Sequence, residues 1–134
     1  MANALYGKGR DKFLNGSINW TSDTIKAILV DNADYTVAID THEWLSDVTV
    51  AGRVATASLA GKSSALGVAD ANDTVFSSVT GDSVESIVLY KDTGVEGTSA
   101  LIAYIDSATG LPVTPNGGDI TVQWDNGANK IFKL

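Results

Sequence analysis

The chain has 134 residues, enough for one domain with a real core. With 44% hydrophobic and only 19% charged residues, it is not expected to be disordered. Sixteen acidic residues against nine basic ones leave a net charge of −7, a field that repels phosphate and disfavours wrapping nucleic acid, and the lack of cysteine removes disulfides and thiolate zinc sites.

The opening stretch, Asn3 to Leu14, reads as the one convincing helix. Leu5, Tyr6, Gly9, Phe13 and Leu14 fall on one side at three- and four-residue spacing, Asn3 is placed to cap it, and Gly16 to end it. Gly7 and Gly9 weaken that helix, each by about 1 kcal/mol relative to Ala, so it needs covering contacts. No apolar leader core precedes its charges, and no later run of about 18 apolar residues offers a membrane span.

From Ile18 the hydrophobic period becomes two. Thr24–Asp31 is apolar on both faces, which predicts a central strand. A turn at "NAD" and a short strand over Tyr35–Ile39 follow. Thr41–Val48 suggests one helical turn capped by Thr41. "RVATASLAG" alternates as a strand, "VADAND" reads as a turn, and "DTVFSSV" as a short strand. Ser83–Asp92 and Ser99–Ser107 are the strongest strands, and the Gly-bearing turn Thr93–Thr98 makes them a hairpin. "ITVQW" and "KIFKL" flank Asn126-Gly127, a strong short hairpin signal that would tie the C-terminal residues into a sheet. The expected fold is all-β: an antiparallel sandwich or barrel of about eight short strands with a short N-terminal helix. It is expected as a single domain, with residues 1–16 as helix or arm and 17–134 as the β-sandwich.

Residues able to do chemistry are few. His42 is the one histidine, and no nucleophile-elbow pattern accompanies it. "DNAD" (31–34) and "DANDT" (70–74) gather oxygen ligands, but Asp and Asn also make turns by bonding nearby backbone. "GKSS" (61–64) lacks the upstream glycine of a phosphate loop. Trp20, Trp44 and Trp124 are expected in the core before a sugar platform. Lys8, Arg10 and Lys12 form a basic patch in an acidic chain, suited to an acidic partner. No catalytic residue, metal or cofactor is expected.

In this order, "ALYGKGRDKFLNGSINW", "DTIKAILVD", "HEWLSDV", "GRVAT", "YKDTG", "LIAYID" and "GLPVTPNGGDITVQWDNG" resemble a family of small virion-associated structural proteins of tailed bacteriophages. The resemblance runs from near Ala4 to the C-terminus. It implies a non-enzymatic virion component, assembled in the host cytoplasm, with the major capsid protein or other virion proteins as partners and self-association expected. A capsid decoration (cementing) role leads. The alternatives are a tail or head-tail connector component, or a receptor- or glycan-binding module of the particle. The expected partner-binding residues are Leu5, Tyr6, Lys8, Arg10, Lys12 and Phe13.

Overall fold

The computed structural model describes residues 4–106, 111–124, 127–128 and 130–134. The chain is mostly β, with three antiparallel sheets and one α-helix among these residues. The largest sheet has five strands in the order β1 (Ala4–Leu5), β8 (Leu101–Ile105), β7 (Ser86–Lys91), β2 (Ile25–Val30) and β3 (Arg53–Ser58). A three-stranded sheet orders β10 (Phe132–Lys133), β5 (Val68–Asp70) and β4 (Ser63–Ala65), and β6 (Thr74–Phe76) pairs with β9 (Ile120–Val122).

The centre of the large sheet follows from side-chain alternation. On β2, Ile25, Ala27 and Leu29 enter one apolar cluster, while Ile28 and Val30 enter a second. Ile87 and Leu89 of β7 join the first, and Val88 and Tyr90 the second. Both faces are therefore dry, which is why these segments are nearly continuous apolar runs. The first cluster is closed by Trp20, Ala69, Phe76, Val122, Trp124 and Ile131, contributed mainly by the small sheets and their flanks. The second is closed by Tyr6, Tyr35, Leu45 and Val48.

The predicted central strand and the hairpin of β7 with β8 are present as expected. Several other expectations need correction. Tyr35–Ile39 is irregular rather than a strand, and its backbone is used instead to hold the N-terminal segment, Gly7 N–H donating to Ile39 O at 2.9 Å. "VAD" of the expected turn is β5. The helical turn near Thr41 is a 3-10 turn at Leu45–Asp47, closed by Asp47. Among the described residues, β9 pairs with β6 and β10 with β5, while Asp125, Asn126 and Asn129 of the expected C-terminal hairpin turn lie outside the described residues. Phe76, Val122 and Ile131 enter one core.

The helix, α1, spans Gly7–Leu14 and not Asn3–Leu14. Ala4 and Leu5 instead extend the sheet opposite Tyr104 and Ala103, and Asn3 lies outside the described residues. Gly16 does terminate the helix. It takes φ +81°, and Ser17 N–H reaches back to Lys12 O at 2.8 Å. Beyond β1, α1 lies over the rest of the β8 edge: Tyr6 N–H donates to Ile102 O at 3.0 Å, and Gly9 packs on Leu101 and Ile102. A strand followed by a helix thus covers an edge that would otherwise invite pairing with another chain.

Candidate interaction surface

The residues expected to bind a partner separate into buried and outward-facing sets. Tyr6 is fully buried in the chain's own second cluster, which corrects its assignment as a contact residue. Leu5 and Phe13 are half-buried against the first cluster. Lys12 is also used internally. Its Nζ lies 2.5 Å from Glu43 Oε1 and 4.4 Å from the Trp44 ring centre. Lys8 and Arg10 are exposed and make no ion pair among the described residues.

Tyr6 anchors a buried polar chain. Its hydroxyl is 2.8 Å from that of Tyr35, which is 2.8 Å from His42 Nδ1. Ala38 N–H also points at Nδ1, at 3.4 Å. A nitrogen that accepts from a backbone N–H carries no proton, so Tyr35 donates to His42 and Tyr6 donates to Tyr35. Burial raises both phenols, that of Tyr35 to about 12, while the bond received from Tyr6 pulls Tyr35 back. His42 is thereby bonded to a tyrosine and the backbone, an arrangement that clamps residues 35–42 over the N-terminal segment. Nothing in the spacing of Tyr6, Tyr35 and His42 announced this chain.

Asp47 organises the adjoining turn. Its Oδ2 accepts from Glu43 N–H at 2.8 Å and Trp44 N–H at 3.0 Å, and these two bonds hold its carboxyl below the usual carboxylate range. The stability contributed is present above the unfolded-state pKa of about 3.9 and is lost as pH falls through the lower folded value. Asp47→Ala is expected to cost about 1 kcal/mol at neutral pH, as loss of a capping group does. Urea melts at decreasing pH should show the gap from wild type closing at the acid end. A gap independent of pH would mean that the carboxylate charge is not involved.

"DNAD" is a turn: Asp31 Oδ1 accepts from Ala33 N–H at 2.9 Å, and Asp31 O accepts from Asp34 N–H at 3.1 Å. The fold also brings Asp82 to Asp31 and Asp34, their oxygens within 4.8 Å of one another. The residues of "DANDT" serve the fold too. Asp73 accepts from Trp124 N–H, and Asn72 O accepts from the Trp124 indole at 3.1 Å. Trp20 is buried likewise and donates to Asp70 O at 3.1 Å. Trp44 is the half-buried one.

On the Phe13 side of α1 lies a groove of about 390 Å³. Phe13, Trp20 and Phe132 line it together with the turn joining β4 to β5. Phe132 stacks edge-on against Trp20 at 5.1 Å and lies 5.7 Å from Phe13. Sequence reasoning found Phe13 but missed Phe132, Leu66 and Leu134, which are brought together only by the pairing of β10 with β5. No protein-family model matches this chain, and a search of curated proteins returns no match either.

Proposed function

We propose that this protein is a non-enzymatic structural component of a tailed-phage particle, most specifically a decoration protein that binds and stabilises the lattice of major capsid protein. The reading starts from the ordered resemblance along the chain. The structural observation that supports it is the N-terminal segment: its apolar side is clamped against the second cluster, while Lys8 and Arg10 are exposed and make no ion pair among the described residues. Such a surface orients an acidic partner more than it adds affinity. On this reading the layers form an open β-sandwich, the five-stranded sheet facing the two small sheets across the first cluster. A stiff, cysteine-free domain of this kind suits assembly in a reducing cell and later exposure outside it. Stabilisation of the shell would come from binding the mature lattice more tightly than its alternatives.

Deleting the N-terminal segment cannot test this cleanly, because Tyr6 would leave the core with it. The test is uptake of the full-length protein by purified shells that lack it, with copies per particle counted. Occupancy that scales with the number of capsid subunits is expected, and Lys8→Glu should reduce it. A copy number matching a single ring would favour a connector, and no uptake would end the decoration reading.

A further inference from the structure

Three asparagines of the chain are followed by glycine: Asn15, Asn116 and Asn126, the last outside the described residues. Such a pair is chemically labile. The glycine has no Cβ to shield its backbone nitrogen from the side-chain carbonyl that precedes it. Both described asparagines are exposed, yet the fold holds the two pairs very differently.

At Asn116 the reactive nitrogen is locked to the core. Gly117 N–H donates to Val79 O at 2.8 Å, and Val79 N–H donates to Gly118 O at 3.0 Å. Val79 is buried in the first cluster. The side chain is held as well, Asn116 Oδ1 accepting from Gly118 N–H at 3.0 Å. Freeing the nitrogen of Gly117 means parting this backbone bridge from a buried residue.

Asn15 stands at the C-terminal end of α1, where backbone partners run out. Gly16 N–H makes only a long bond, 3.3 Å to Phe13 O. A Cβ on Gly16 would meet nothing within 4 Å, so no neighbour hinders movement there. The ψ of Asn15 is 4°, which turns the nitrogen of Gly16 away from Cγ, and attack must wait for this angle to change. Few contacts resist that change. Ser17 N–H and Ile18 N–H reach Lys12 O at 2.8 and 3.2 Å, and Ser17 N–H and Oγ reach Asn15 Oδ1 at 3.1 and 2.6 Å. Exposed helix ends open at far lower cost than core strands.

We propose that Asn15 is a site of spontaneous deamidation, gated by opening of the α1 cap, while the fold protects Asn116. In the open cap, the nitrogen of Gly16 loses its proton to solvent base and attacks Asn15 Cγ. The new C–N bond forms, Cγ–Nδ2 breaks, and ammonia leaves with a proton, giving a cyclic succinimide. Water then opens the ring. Addition at Cγ leaves aspartate. Addition at the main-chain carbonyl carbon leaves isoaspartate, whose main chain runs through Cγ and is longer by that atom. One water is consumed and one ammonia released, with no other reactant.

Either product places a new carboxylate at the C-terminal end of α1, where the helix dipole disfavours it. Gly16 also lines the groove beside Phe13, whose lining side chains are uncharged, so the change puts charge on its rim. The longer main chain of isoaspartate pulls Ser17 and Ile18 from Lys12 O, the bonds that close the helix. This chemistry belongs to the chain alone and does not rest on the virion reading.

The test holds the full-length protein at mildly alkaline pH for several weeks, beside a sample in concentrated urea. Peptides are then mapped by mass spectrometry, and isoaspartate is read by enzymatic methyl labelling. Each asparagine's rate in the folded protein is divided by its own rate in urea, which removes differences in intrinsic reactivity. The ratio is expected below one for Asn15, and about tenfold or more lower still for Asn116. Amide exchange at Ser17 and Ile18 should quicken in the isolated isoaspartate product. Equal ratios, a higher ratio at Asn116, or an Asn15 that stays intact in the fold while converting in urea would overturn the proposal. An Asn15 that converts as fast folded as unfolded would remove the gate. Unchanged exchange at Ser17 and Ile18 would remove the effect assigned to the product.

Discussion

Tyr6→Ala is expected to cost about 3–5 kcal/mol, the range for truncating a buried aromatic, and so to remove much of the stability of a domain this size. Tyr6 has no exposed surface and closes the second apolar cluster against Ile28, Val30, Val88 and Leu101. It also begins the hydroxyl chain through Tyr35 to His42. Tyr6→Phe separates the two contributions. It keeps the ring but leaves the Tyr35 oxygen without its donor, and should cost about 1 kcal/mol. Equilibrium denaturation of both variants reads the difference directly. If Tyr6→Ala melts close to wild type, the N-terminal segment is a detachable arm and its clamp over the β8 edge has been misread.

The large sheet was legible because its chemistry is local. β2, β7 and β8 are runs in which both alternating sets of side chains are apolar, a pattern set by burial on both faces. The end of α1 was legible for the same reason, since Gly16 supplies the positive φ the cap needs. In the small sheets, β6, β9 and β10 fall in segments expected as strands, but their pairing, β4 and β5 were not legible. β4 and β5 are three residues each and carry Ser and Asp, so no period can be seen in them. Their pairing is decided by what Ala69 and Ile131 bury, not by the residues between them. The candidate surface was half legible. Lys8, Arg10 and Phe13 stand out in the N-terminal stretch, whereas the groove depends on Phe132 arriving from the other end of the chain. Tyr6 looked like a contact residue because an aromatic in a short amphipathic segment has the same pattern whether its own domain or another covers it.

Gly9 shows most clearly how a local reading inverts in context. By helix propensity alone, Gly9→Ala should stabilise α1 by about 1 kcal/mol. In the fold, a Cβ there would stand 2.5 Å from the backbone oxygen of Leu101 and 3.2 Å from Ile102 Cα. These are main-chain atoms of β8, the second strand of the sheet, and they cannot swing aside as a flexible side chain would. Accommodation requires α1 to lift from the strand. That movement disturbs the bond from Tyr6 N–H to Ile102 O on one side and the contact of Phe13 with Phe132 on the other. Overpacking of this kind costs about 1–3 kcal/mol, which exceeds the propensity gain. Gly9→Ala is therefore expected to destabilise the protein in urea titration, and Gly9→Val to do so more strongly because its branched side chain adds bulk at the same point. Exchange of the amides of Tyr6 and Arg10 should quicken in both variants, since the segment opens before the sheet does. A Gly9→Ala protein as stable as wild type would mean that the helix rests farther from β8 than these distances give, and that its glycine reports weak helix propensity and nothing more.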